Sequence, residues 1–238
     1  MISSRFQNIR FYLPFSFKKT GDFRPVINLK PLNQLEQRIH FKMENIQMAM
    51  NFVSLGDSMV SLDLKDAYFS VAIFRPHCKY LRFIWRNQRY EFTCLPFGYS
   101  LAPRVVTKIF KPTVAQLRLN GLRIVILLKD ILLVASSFTE CVEQLSLLQN
   151  VLESLGFVIN DAKSQLQPTA RICFLGFIID SIPMEPLLPE DKLQKIISAC
   201  LNLVSKNNPS VREVANVTGL LLSAFPAVNY LNPFSRSY

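Results

Sequence analysis

Two aspartates in this chain stand where a fold can hold a carboxylate rigidly. Asp63 follows the apolar run Met59-Val60-Ser61-Leu62, and Asp130 opens onto Ile131-Leu132-Leu133-Val134-Ala135. A carboxylate at the edge of a buried strand is fixed by its backbone, so two such strands can aim two carboxylates into one cleft. Hard oxygen ligands of this kind suit Mg²⁺, which takes one or two protein carboxylates and leaves its other positions to water and substrate phosphates. A turn or cap role is the alternative for either residue, and spacing alone leaves both open. Thiol and imidazole chemistry has less to work with. The five cysteines, at 78, 94, 141, 173 and 200, show no CxxC spacing, and only His40 and His77 could join them, so the expectation is buried free thiols in a reducing compartment and no zinc site.

The elements that must position these carboxylates are legible as alternating breakers and short apolar runs, the pattern of a mixed α/β chain. Ser58 to Leu64 reads as a buried strand ending in the charged cluster Asp63-Leu64-Lys65-Asp66. Ile124 to Leu128 and Ile131 to Ala135 read as a hairpin whose tight turn carries Lys129-Asp130. A helix is expected over Phe41 to Phe52, another from Pro103 to about Leu119, and a third from Glu140 to Leu155, where Val142, Leu145, Leu148, Val151, Leu152 and Leu155 share a face and Gly156 stops it. Lys18 to Asp22 reads as a turn between strands, and residues 79–95 as a hairpin across Arg86-Asn87-Gln88-Arg89. Phe174 to Ile179 reads as one strand, and Pro183, Pro186 and Pro189 as a linker into a helical segment from Glu190.

At 238 residues, half of them hydrophobic and only 18% charged, the chain can bury a core, which excludes a disordered or low-complexity segment. The formal charge of +10 points to a polyanionic partner such as nucleic acid, with a generically soluble basic protein as the alternative. Its distribution is uneven: residues 1–120 carry 18 Lys and Arg against 7 Asp and Glu, residues 121–238 carry 9 against 10. No apolar run approaches the roughly 20 residues of a membrane span, and Met1 to Lys19 lacks the apolar core of a signal peptide. The expectation is an intracellular chain, cytoplasmic or nuclear, with no membrane partner.

Three blocks resemble consecutive motifs of the retroelement reverse transcriptases. They are Ser61-Leu62-Asp63-Leu64-Lys65-Asp66-Ala67-Tyr68-Phe69, Leu95-Pro96-Phe97-Gly98-Tyr99-Ser100-Leu101-Ala102-Pro103-Arg104, and the hairpin at 124–135. The likeness runs from about Phe15 to Asp180, through Phe23-Arg24-Pro25-Val26-Ile27-Asn28-Leu29-Lys30-Pro31-Leu32-Asn33, Leu155 to Asn160 and Phe174-Leu175-Gly176-Phe177, and it is closest to DIRS-type elements, then gypsy-type. The resemblance implies an α+β right-hand polymerase fold. Residues 1–55 and 75–120 would be fingers, 56–74 and 121–182 a palm of antiparallel sheet backed by helices, and 183–238 the start of a thumb or connection. It implies an RNA-directed DNA polymerase that extends a DNA primer on an RNA or DNA template from deoxynucleoside triphosphates with two Mg²⁺ ions, Mn²⁺ being a possible substitute.

Residue by residue, the resemblance makes Asp63 and Asp130 catalytic metal ligands, with the backbone carbonyl of Leu64 as a third. Asp66 and Ala67 would meet the triphosphate through their amides, and Tyr68 would exclude a ribose 2′-hydroxyl. Arg24 and Lys18 or Lys19 would grip phosphates from the fingers. Phe97 and Gly98 would line the template and nucleotide path, Lys163 would protonate the leaving pyrophosphate, and Leu175-Gly176 would form the primer grip. The departure is Leu127-Leu128-Lys129-Asp130, where the family carries Tyr-x-Asp-Asp. Lys129 replaces a metal-binding aspartate, turning a negative charge into a positive one. At about 4 Å and an effective dielectric of 20, each product of unit charges is worth roughly 4 kcal/mol, so exchanging attraction for repulsion against a divalent ion predicts weak or absent polymerase activity. A catalytically dead nucleic-acid-binding module and a translated fragment without selected function are the other two readings.

Overall fold

The computed structural model describes residues 11–12, 15–17, 23–25, 27–37 and 39–227. Three short strands open it, β1 (Phe11–Tyr12), β2 (Phe15–Phe17) and β3 (Phe23–Pro25). β2 and β3 pair antiparallel with Phe17 opposite Phe23. The turn expected at 18–22, with Lys18 and Lys19, lies outside the described residues, as does the Arg24 side chain. The single-turn α1 (Lys30–Asn33) follows, then α2 (Ile46–Phe52). α2 is shorter than the helix expected over 41–52. Asn45 is extended and its side chain accepts from the Met48 amide at 3.0 Å, which caps the helix there.

The central sheet is built from β4 (Ser58–Lys65), β7 (Arg123–Leu127), β8 (Asp130–Ala135), β9 (Val158–Ile159) and β10 (Gln165–Thr169). Between β4 and β7 lie a 3-10 helix (Arg75–Leu81), β5 (Arg82–Trp85), β6 (Gln88–Glu91) and α3 (Ala102–Leu119), and α4 (Phe138–Ser154) separates β8 from β9. The order is β10-β4-β8-β7, with β9 also on β4, and every pairing is antiparallel. Both faces are covered, which is why the strands read as continuous apolar runs. On one face Val60, Leu62, Leu64, Ile124, Ile126, Ile131 and Leu133 pack with Val106, Phe110 and Val114 of α3 and Leu145, Leu148 and Leu152 of α4. On the other, Met59, Val125, Leu132 and Val134 meet Ile46 and Ala49 of α2 and Ile172, Phe174, Phe177 and Ile179. Residues 102–119, grouped by sequence with 75–120, thus share the core of the sheet.

Four details differ from the sequence expectations, each for a local reason. Leu127 pairs with Asp130, so the β7–β8 turn is Leu128-Lys129, with Leu128 in the left-handed region at φ 58° and Asp130 already in β8. Trp85 pairs with Gln88, so the β5–β6 turn is Arg86-Asn87, both left-handed, as two-residue hairpins favour. The single strand expected over Phe174 to Ile179 is a hairpin of β11 (Arg171–Phe174) and β12 (Phe177–Asp180), reversed at Leu175-Gly176 with φ of 52° and 75°. The proline-rich linker contains β13 (Glu185–Leu187), an edge strand on which Pro186 stands opposite Ile179. α5 (Glu190–Val204) and α6 (Val211–Ala224) then pack together. The five cysteines are unpaired; Cys78 and Cys141 are buried as expected, whereas Cys173 is exposed.

Candidate active site

Asp63 and Asp130 face each other across the β4–β8 ladder as register partners. Side chains alternate along each strand, and Asp63 shares its side with Met59, as Asp130 does with Leu132 and Val134, so both carboxylates lie on the sheet face that covers α2. Asp63 is only 9% exposed. Its amide donates to Ser164 Oγ at 3.0 Å, its carbonyl accepts from the Asn160 amide at 2.8 Å, and its Oδ1 accepts from Asn160 Nδ2 at 3.4 Å. Neither Asn160 nor Ser164 had a role in the sequence reading. The turn from Asn160 to Ser164, closing on the Asn160 carbonyl, is what brings them against β4.

The Lys129 side chain, half exposed, folds back onto the carboxylate pair. Its Nζ donates to Asp63 Oδ2 in a short contact and to Asp130 Oδ1 at 3.3 Å, and its backbone carbonyl accepts from the Leu64 amide at 2.8 Å. Partial burial lowers the affinity of Lys129 for its proton, but the hydrogen bond to Asp63 and the charges of Asp130 and Asp63 outweigh that and hold the ammonium above the usual lysine range. It stays charged at neutral pH. Among the described residues no three His, Cys, Asp or Glu side chains come together. With an ammonium already on one oxygen of each carboxylate, the residues present do not fit a pair of Mg²⁺ ions.

β4 ends at Lys65, and Asp66 turns the chain at φ 48°, with the Phe69 amide donating to its carbonyl at 2.7 Å. Ala67 is buried in the core beneath α3, and Tyr68 packs at its border. The Tyr68 ring meets Phe97 edge-on at 5.3 Å, and Phe69 meets the same ring at 5.0 Å, so the two aromatic candidates from different motifs do come together. Burial pushes the Tyr68 hydroxyl above its ordinary pKa. Gly98 has φ 89°, and a Cβ there would lie 3.6 Å from the Ile27 carbonyl. Asn33 braces this loop, donating from Nδ2 to the Gly98 carbonyl and accepting from the Ser100 amide, both at 2.9 Å. Beside it opens a cavity of about 540 Å³ lined by residues of 27–36 and Gly98. Tyr99 donates its hydroxyl to Glu36 Oε1 at 3.1 Å, and burial, with Glu36 beside it, raises its pKa to about 12. Lys163 is exposed in the 160–164 turn, its amide bonded to the Asn160 carbonyl at 3.0 Å. Leu175 and Gly176 form the β11–β12 turn, with Leu175 packed against the core that underlies the Asp63 face.

Solved structures of foamy viral protease-reverse transcriptase share this architecture. The form in complex with double-stranded DNA superposes with a TM-score of 0.74 at 21% identity over 91% of this chain and 36% of that one. The form with an RNA/DNA hybrid gives 0.70 at 19%, over 91% and 27%. The fold is that of a polymerase palm with its flanking elements. In sequence, the Gag-Pol polyprotein of Woolly monkey sarcoma virus is 27% identical over 176 residues, 70% of this chain and 10% of the polyprotein. That of Feline leukemia virus is 26% identical over 87% of this chain, and the transposon Tf2-3 polyprotein of Schizosaccharomyces pombe 22% over 90%. The chain therefore spans about a tenth of the length of the first of these relatives. The profile of the reverse transcriptase (RNA-dependent DNA polymerase) family matches residues 17–179, and the chain belongs to that family. The family works with divalent metal ions.

Proposed function

We propose that this chain is the reverse transcriptase domain of a retroelement, able to seat a DNA primer on an RNA or DNA template, whose nucleotidyl transfer is arrested at the carboxylate pair. The observation that carries the reading is the Lys129 ammonium on Asp63 Oδ2 and Asp130 Oδ1, inside an otherwise family-like palm. Support for the partners comes from neighbours solved with double-stranded DNA and with RNA/DNA hybrid, and from the basic surplus of residues 1–120.

In this reading Asp63 and Asp130 are the reacting-centre carboxylates, with the Leu64 carbonyl beside them. Asp66 and Ala67 meet the triphosphate, Tyr68, edge-on to Phe97, gates the sugar, and Phe97 and Gly98 line the template and nucleotide path. Lys18, Lys19 and Arg24 supply finger cations, Lys163 the proton for pyrophosphate, and Leu175-Gly176 the primer grip. Residues 1–55 and 75–101 are fingers, 56–74 and 102–182 palm, since α3 shares the sheet's core, and 183–238 begins a thumb or connection. Transfer requires charge developing on the attacking and leaving oxygens to be offset by cations that both carboxylates hold in place. An ammonium on a fixed stem offsets one charge and cannot bridge two oxygens of the reacting groups.

Primer extension on an RNA template, with Mg²⁺ and separately with Mn²⁺, tests this. Native protein is expected to bind without extending, Lys129→Asp to extend, and the double variant Asp63→Asn/Lys129→Asp to be silent. Extension by the native protein at a rate matching Lys129→Asp would overturn the arrest.

A further inference from the structure

We propose that Lys129 is the resident cation of the Asp63–Asp130 pair, so that this cleft takes up nucleic acid without needing a divalent ion. The inference rests on the polymerase reading for its ligand but on geometry for its cation. Asp63 and Asp130 are opposite each other on neighbouring antiparallel strands and on one face, a spacing at which two carboxylates repel. Asp63 is nearly buried and Asp130 is partly open to water, so the repulsion is screened from one side only. The cation that resolves it is built in. Lys129 occupies the turn immediately before Asp130, and its carbonyl is anchored to β4 by the Leu64 amide at 2.8 Å. From that anchor its stem folds back so that Nζ reaches Asp63 Oδ2 and, at 3.3 Å, Asp130 Oδ1.

A tethered ammonium differs from a diffusible metal ion in two ways. Its local concentration is set by the chain and not by the solution, so it does not dissociate when divalent ions are removed. A divalent ion, in turn, must displace it and then sit beside its positive charge. The pair with its lysine carries a formal charge of −1, against −3 if position 129 held an aspartate. A phosphate backbone approaching the cleft in the absence of metal therefore meets less repulsion than it would from three carboxylates.

Two measurements on the whole chain test this, neither of them an activity. The first is Mn²⁺ uptake, followed by loss of the free-ion electron paramagnetic resonance signal. The second is affinity for an RNA/DNA hybrid by fluorescence anisotropy, in EDTA and in Mg²⁺ at matched ionic strength. Native protein is expected to take up no Mn²⁺ and to bind the hybrid with affinities within about twofold of each other in the two conditions. Lys129→Asp should take up Mn²⁺, bind the hybrid about tenfold more weakly in EDTA, and recover in Mg²⁺. Lys129→Met, which keeps the stem and loses the charge, should move the same way by less, and circular dichroism checks that both variants fold. Mn²⁺ uptake by native protein, an EDTA loss in native affinity of tenfold or more, or no uptake by either variant overturns the proposal. If no variant binds hybrid in any condition, the nucleic-acid reading fails. Mn²⁺ uptake by the two variants but not by native protein then still upholds the resident cation, and any other uptake pattern overturns it.

Discussion

A charged side chain under this surface is tolerated only where its partners are complete, and two of the three buried aspartates among the described residues illustrate different solutions. Asp63 is held by a lysine one strand away, with Asn160 and Ser164 fixing its backbone and its second oxygen. Asp57, only 3% exposed, is held by a guanidinium: Arg123 donates to its Oδ2 at 2.6 Å and to its Oδ1 at 3.0 Å, and the Ser54 amide adds a third bond at 2.6 Å. This fork–fork pair ties the start of β4 to the start of β7, and Ser181 Oγ donates to the Asp57 carbonyl at 2.8 Å from the end of β12. Removing Asp57 leaves Arg123 its bond to the Phe52 carbonyl and access to water, whereas removing Arg123 leaves the Asp57 carboxylate buried with only the Ser54 amide on it. Arg123→Met is therefore expected to destabilise the chain by about 3 kcal/mol, read as a lower urea midpoint at unchanged m-value. An unchanged midpoint would show that the Asp57 carboxylate finds other donors when its partner is gone.

Elements show where sequence was sufficient and where it was not. β7 and β8 were legible because burial on both faces makes their apolar runs unbroken, and α4 because its apolar positions keep helical spacing up to Gly156. The Leu175-Gly176 reversal was hidden inside an equally unbroken run, since a leucine at φ 52° leaves no mark in composition. At the site, Asp63, Asp130 and the anomaly of Lys129 were legible from the motif order, but the fold-back of the lysine was not. Asn160 and Ser164 were missed because the bonds that give them a role cross 97 and 101 residues. α6 carries its own start signal, a capping box in which Ser210 accepts from the Glu213 amide while Glu213 accepts from the Ser210 amide. The Lys206 ammonium, with the Ser210 amide and hydroxyl, depresses the Glu213 pKa to about 2. A depressed carboxylate stabilises the fold above its unfolded pKa of about 4.3 and loses that contribution as pH falls toward 2. Hydrogen-exchange protection of the α6 amides should therefore fall between those values in the native chain and be flat over the same range in Glu213→Gln. Ser210→Ala should cost the helix about 1 kcal/mol at neutral pH, visible in the same amides.

For the whole molecule the governing quantity is charge, because a chain of +10 attracts any polyanion and only the form of that attraction separates a site from a diffuse field. The surplus lies in residues 1–120, the half that also supplies Asp63, Asp66, Tyr68 and the Phe97-Gly98 loop. A cleft that tracks a phosphate backbone releases a fixed number of counterions. The logarithm of affinity for hybrid should then fall linearly with the logarithm of salt, by about 0.9 per phosphate contacted on a duplex. Lys65 is exposed at the end of β4, two residues after Asp63, and Lys163 is exposed in the turn whose Asn160 and Ser164 bond to Asp63. If the backbone passes over the carboxylate pair, Lys65→Gln and Lys163→Gln should each lower the slope by about 1 and weaken binding alike for all sequences. Substituting Lys195, an exposed cation of α5 far along the chain from that strand end, serves as the comparison. Equal slope changes from all three would mean that the net charge, and not the palm, holds the nucleic acid. A change confined to Lys65 and Lys163 ties the polyanion to the strand end where Lys129 has taken the carboxylates.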